Sequence, residues 1–153
     1  MNAPDLRTGP PPRWSETVDG VAWLPRFAGK ARAYDAGTLG MYLYGQSPVD
    51  DAFLKRAGID YDAFLEIVRS SPDDAAVLAE IDRRTPGAAD RLRRWSREKL
   101  PATFGWLLGA LDVDDGYSSS SLVKRFANVC SIPVVLAARA FRGSPKTAPG
   151  RSR

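Results

Sequence analysis

Between Leu24 and Gly116 the apolar residues recur at helical spacing, but a proline, glycine or aspartate soon interrupts every run. Spacing of i, i+3, i+4 and i+7 places side chains on one helix face, and the interruptions supply starts and stops. Such a chain is expected to be all-α, a compact bundle of five or six short helices.

The runs can be followed one by one. Leu24, Phe27, Ala31 and Tyr34 share a face, with Pro25 tolerable in the first turn and Gly37 as the stop. Met41-Tyr42-Leu43-Tyr44 is too short to separate a strand from a turn of helix. Asp50 is read as the cap of a brief helix that carries Phe53, Leu54 and Ala57 inward and ends at Gly58. Asp60 caps the next, with Tyr61, Phe64, Leu65 and Val68. Ser71-Pro72-Asp73-Asp74 starts another through Val77, Leu78 and Ile81, and Thr85-Pro86 starts one through Ala88, Leu92 and Trp95. Phe104, Leu107, Leu108 and Leu111 form the last stripe, closed by the acidic turn Asp112 to Gly116.

Either side of this helical domain (21–116) the composition changes. Residues 1–20, with Pro4 and Pro10-Pro11-Pro12, read as an extended arm, because prolines fix φ and remove backbone donors. Residues 117–153 read as a basic extension. They include an amphipathic helical segment over about 121–142, broken at Pro133, and a frayed end over 143–153. No acidic residue follows Asp115, so the extension carries about +7 while residues 1–115 hold 15 basic against 18 acidic side chains.

Composition also removes chemistries. There is no histidine and a single cysteine, Cys130. That excludes Ser-His and Cys-His nucleophile pairs and a structural zinc site within one chain. No metal or cofactor is expected, and catalysis would have to use carboxylates, Lys, Arg, Tyr or Ser. The opening Met1 to Arg7 lacks the basic-then-apolar pattern of a secretory leader, and Phe126 to Phe141 is too short and too polar for a span. With one cysteine, a cytoplasmic location is expected.

One block is distinctive: Trp23-Leu24-Pro25-Arg26, then Lys30-Ala31-Arg32-Ala33 and Ala36-Gly37-Thr38-Leu39-Gly40, followed by Gly58-Ile59-Asp60 and Phe64. With Asp5-Leu6-Arg7 and Pro11-Pro12-Arg13 before it, this pattern resembles a bacterial family designated domain of unknown function 5069, over about residues 5–112. The resemblance implies a small, mainly helical bacterial protein and brings no activity, cofactor or site residue.

Two surfaces are candidates for function. Arg26 and Lys30 stand one turn apart on the side of the first helix away from Phe27 and Ala31. With Arg32, Tyr34, Tyr42 and Tyr44 they would make an anion site, since two cations at that spacing repel unless an acid lies between them. Otherwise they are solvated or paired with Asp19 and Asp35. The second surface is the extension, where Lys124, Arg125, Phe126, Arg139 and Arg142 would meet a partner or an anionic membrane surface, or complete the core.

The remaining motifs read as ordinary structure. Asp112 to Gly116 has the wrong spacing for a calcium loop, with Val123 where the bidentate glutamate belongs. Ser121-Leu122-Val123-Lys124 lacks the partner motifs of a Ser-Lys nucleophile. Asp50/Asp51, Asp60/Asp62 and Asp73/Asp74 stand where helix starts attract negative charge. Arg83, Arg84, Arg91, Arg93, Arg94, Arg97 and Lys99 are interleaved with Asp82, Asp90 and Glu98, a charged surface rather than a nucleic-acid footprint. The expected function is therefore a non-catalytic binding or regulatory module for an anionic ligand or protein partner. A small enzyme or ligand-binding protein with a Tyr/Lys/Arg pocket is the rival, and membrane association through the extension is a third. Oligomeric state is open.

Overall fold

The computed structural model describes residues 3–45 and 47–117. Six helices follow one small hairpin: β1 (Thr17–Val18), β2 (Val21–Ala22), α1 (Leu24–Asp35), α2 (Pro48–Ala57), α3 (Tyr61–Ser70), α4 (Asp74–Arg84), α5 (Ala88–Glu98) and α6 (Leu100–Asp114). The fold is mostly helical, as the periodicity requires. The antiparallel pair β1–β2 pairs Thr17 with Ala22 and Val18 with Val21, a hairpin that the reading of an extended arm missed. Residues 41–44 form neither strand nor helix. The segment 121–142, with Lys124, Arg125, Phe126, Arg139 and Arg142, and the end 143–153 lie outside the described residues.

Aromatic side chains fill the centre. Phe27 stacks on Phe64 at 4.1 Å with the rings 8° apart, and meets Phe53 edge-on at 5.6 Å. Both geometries are favourable for ring quadrupoles. Around this cluster α1 packs on α3 and α4, α2 on α5, and α6 on α5.

Several helix starts differ from the sequence reading. Asp60 does cap α3, accepting from the Ala63 amide at 2.8 Å. For α4 the cap is Asp73 rather than Ser71, accepting from the Ala76 amide at 2.8 Å. A carboxylate three residues before an orphan amide at the positive helix end is the stronger partner. Thr85 ends α4 instead of starting α5, its amide donating to Ile81. Gly87, at φ +79°, turns the chain, and Asp82 from the preceding helix accepts from the Ala89 amide at 2.9 Å. At α2 Ser47 takes the N-cap position without a side-chain bond, and Asp50 lies in the first turn with its side chain buried.

The proline-rich arm is strapped onto α1. The Leu6 amide donates to the Thr38 carbonyl at 2.9 Å, and the Thr38 hydroxyl donates to the Pro4 carbonyl at 2.8 Å. Gly40, at φ +63°, permits this approach, because a Cβ there would lie 2.8 Å from the Leu6 carbonyl oxygen. Further along, Pro12 rests on Gly29. Small residues at 28, 29, 31 and 33 let neighbours close in from all sides, so nine of the 12 residues of α1 are buried. Tyr34, expected inward, is instead exposed, and Ala33 is buried in its stead. Among the described residues no helix is long and apolar enough to cross a membrane.

Candidate functional site

The burial of α1 changes the meaning of its two cations. Arg26 and Lys30 do not face solvent: their side chains are only 3% and 5% exposed. Nor do they pair with Asp19 or Asp35. Asp35 is held by Arg69, and the Asp19 carbonyl accepts from Arg93. The carboxylates come from further along the chain.

Lys30 meets Asp50. Its Nζ donates to Asp50 Oδ2 at 2.7 Å, and Trp23 Nε1 donates to Asp50 Oδ1 at 2.8 Å. Nζ also lies 5.4 Å from the Trp23 ring and 5.5 Å from that of Phe27, a cation against two ring faces. Burial pushes the Lys30 ammonium down from its ordinary range and the Asp50 carboxyl up. Their mutual contact opposes both shifts. Each group is tolerable in the core because the other is there.

Arg26 meets Asp115. Its Nη1 donates to Asp115 Oδ2 at 2.7 Å and to the Pro12 carbonyl at 3.2 Å. The Tyr42 hydroxyl donates to Asp115 Oδ1 at 3.0 Å, so the carboxylate is held at both oxygens. The guanidinium lies 5.6 Å from the Trp23 ring and 5.9 Å from that of Tyr42. Burial, reinforced by the nearby Asp115 carboxylate, pushes the Tyr42 phenol up to about 12. Alongside, Arg13 grips Asp112 with two donors at 3.0 and 2.5 Å, and the Tyr117 hydroxyl donates to the Pro11 carbonyl at 3.1 Å. Asp112 to Gly116 does end α6, but it is also a clasp whose carboxylates reach back to the arm and to α1.

The six residues grouped from the sequence separate into neighbouring places. Arg26 and Tyr42 share the Asp115 carboxylate; Lys30 lies beside them across Trp23. Arg32 points elsewhere, donating to Asp74 at 2.6 Å. Tyr34 stacks on Tyr44 at 5.0 Å, and the Tyr44 hydroxyl donates to the Tyr61 carbonyl. Burial pushes the Tyr44 and Tyr61 phenols up, with Asp50 adding to the first and the hydrogen bond to Asp51 to the second. At neutral pH these phenols are therefore donors rather than bases.

Sequence reasoning missed Trp23, Asp50, Asp112, Asp115 and Arg13. A signal for three of them was present. Asp50 stands at i to Phe53 and Leu54, and Asp112 and Asp115 stand four and seven residues after Leu108, all in the apolar register. An acid in that register is aimed at the core. Among the described residues no group of three or more Cys, Asp and Glu side chains could hold a metal ion. The arrangement can hold a carboxylate by charge, by a planar fork and by a phenol.

The family model for domain of unknown function 5069 (DUF5069) matches residues 10–106. The chain belongs to this family. The DUF5069 match includes Trp23, Arg26, Lys30, Tyr42 and Asp50, and it stops short of Asp112 and Asp115. The description of DUF5069 names no activity. No curated protein matches the chain.

Proposed function

We propose that this DUF5069 protein is a non-catalytic, cytoplasmic bacterial binding module that takes a carboxylate of an anionic partner at Arg26 and Tyr42. The observation that carries this reading is the occupant of that cradle. Arg26 and Tyr42 belong to the family-matched span, as does Trp23 whose ring lies against the guanidinium, while the carboxylate that Arg26 and Tyr42 hold comes from Asp115, beyond it. A buried guanidinium needs an acid, and any carboxylate that reaches it satisfies the same donors. Asp115 is then a resident ligand, and a partner's Asp, Glu or C-terminus displaces it. A tethered ligand competes at an effective concentration on the order of millimolar, so the partner must bring further contacts.

The test is a binding titration of full-length protein with a short Glu-rich peptide, wild type against Asp115→Asn. The variant is expected to bind at least about tenfold more tightly, because the resident acid no longer competes. Arg26→Gln placed on the Asp115→Asn background should abolish the gain. Equal affinity of wild type and Asp115→Asn would remove the reading.

A further inference from the structure

A second site lies at the C-terminal end of α1 and is independent of the Arg26 cradle. A cavity of about 440 Å³ opens between the end of α1 and the turn joining α3 to α4, lined among others by Arg32, Asp35, Leu65, Val68, Arg69 and Ser71. Its volume lies in the range of small-molecule sites. The Arg32 side chain is 10% exposed, and while Nη1 is engaged by Asp74, Nη2 is buried with no hydrogen-bond partner. Buried guanidinium donors are rarely left so, and an unpaired one marks a place where an acceptor belongs.

Asp35 stands three residues after Arg32, so the two share a face of α1 at the cavity wall. Both of the contacts from Arg69 fall on Asp35 Oδ1, which leaves Oδ2 without a hydrogen bond among the described residues. Arg32 thus keeps one donor without a partner just behind the wall, and a turn away the exposed Asp35 turns a carboxylate oxygen outward. The wall is also electrically balanced, Arg32 by Asp74 and Arg69 by Asp35. A phosphate or dicarboxylate would add charge that nothing in the wall offsets. Leu65 and Val68 add an apolar patch beside the polar pair.

We infer that this cavity binds a small zwitterion of the α-amino-acid type, its carboxylate on Arg32, its ammonium on Asp35 and a short aliphatic side chain against Leu65 and Val68. Such a ligand brings no net charge, sets its carboxylate toward the Arg32 guanidinium and its ammonium against the outward oxygen of Asp35, and lays its side chain on the apolar part. Neither a simple anion nor a simple amine does all three.

The experiment is calorimetric and thermal-shift titration of the full-length protein with each standard amino acid at up to about 10 mM. Propionate and ethylamine serve as half-molecule probes, and inorganic phosphate as a simple anion. An aliphatic amino acid is expected to bind and to raise Tm, with each half-molecule at least about tenfold weaker. Asp35→Asn should weaken the amino acid by about tenfold or more. Ala36→Trp, a change at an exposed residue of the cavity rim, should block binding while the far-UV spectrum stays that of the wild type. Silence from every amino acid overturns the inference. So does phosphate or propionate binding as tightly as the amino acid, or binding that survives both substitutions.

Discussion

Two cations one turn apart on the same helix are both buried, and each touches a carboxylate at 2.7 Å. They differ in where the acid comes from. Asp50 belongs to α2 and lies within the core beside Val49 and Phe53, with Trp23 as a second donor. Asp115 follows α6, a helix that packs on α5 and leaves Trp106 and Val113 exposed. The first pair therefore fixes α1 against α2 inside one packed unit. The second ties α1 and the arm to the turn that ends a peripheral helix. Burial alone does not say what an ion pair does; the place of the element that supplies its partner does.

The largest effect should come from the core pair. Asp50→Ala leaves an ammonium and an indole N–H in the core without an acceptor, and is expected to cost about 3–5 kcal/mol in urea unfolding. Replacing both partners, Lys30→Met with Asp50→Leu, should recover most of that loss. The comparison breaks if Asp50→Ala is no more damaging than Asp115→Asn.

Asp115→Asn is expected to be milder, about 1–2 kcal/mol, since the amide oxygen still accepts from Tyr42 and Arg26 keeps the Pro12 carbonyl as an acceptor. Hydrogen exchange should then rise in the last turn of α6 and stay unchanged in α2. Faster exchange in α2 as well would show that the two pairs are one cooperative unit.

The smallest effect is a titration. Tyr42, raised from 10.0 to about 12 by burial and by Asp115, binds its proton more tightly folded than unfolded. Its contribution to stability is whole below pH 10 and is lost as pH climbs toward 12. Tyrosinate absorbance should show this late-ionising phenol in the wild type and an earlier one in Asp115→Asn. An unchanged profile would mean that the clasp is open in solution.

Much of the fold was legible because local chemistry and apolar spacing agree. Gly37 and Gly58 stop their helices, and Asp60 caps α3 with its side chain. The starts that were misplaced lie where two candidate caps compete, as with Ser71 and Asp73, or where a cap arrives from another helix, as with Asp82. Periodicity speaks of one face, whereas α1 is covered on nearly all of its surface, so Arg26 and Lys30 were read as outward. What covers them is the arm, α2 and the turn after α6, and those contacts are set by tertiary packing rather than by neighbours in sequence. The grouping of Arg26 with Tyr42 survives; that of Arg32 with Arg26 does not, because six residues along a helix separate them by more than one turn and more than one face.

The reach of the clasp also has a consequence in time. Arg26 and Asp115 are 89 residues apart. On a ribosome adding roughly 5–20 residues per second, Arg26 leaves the tunnel about 4–18 s before the acid that will close over it. Tyr42 follows Arg26 by 16 residues, so for most of that interval both donors are out of the tunnel and their acid is not. The pairing of Arg26 with Asp115 is thus among the last contacts that synthesis permits in the helical domain.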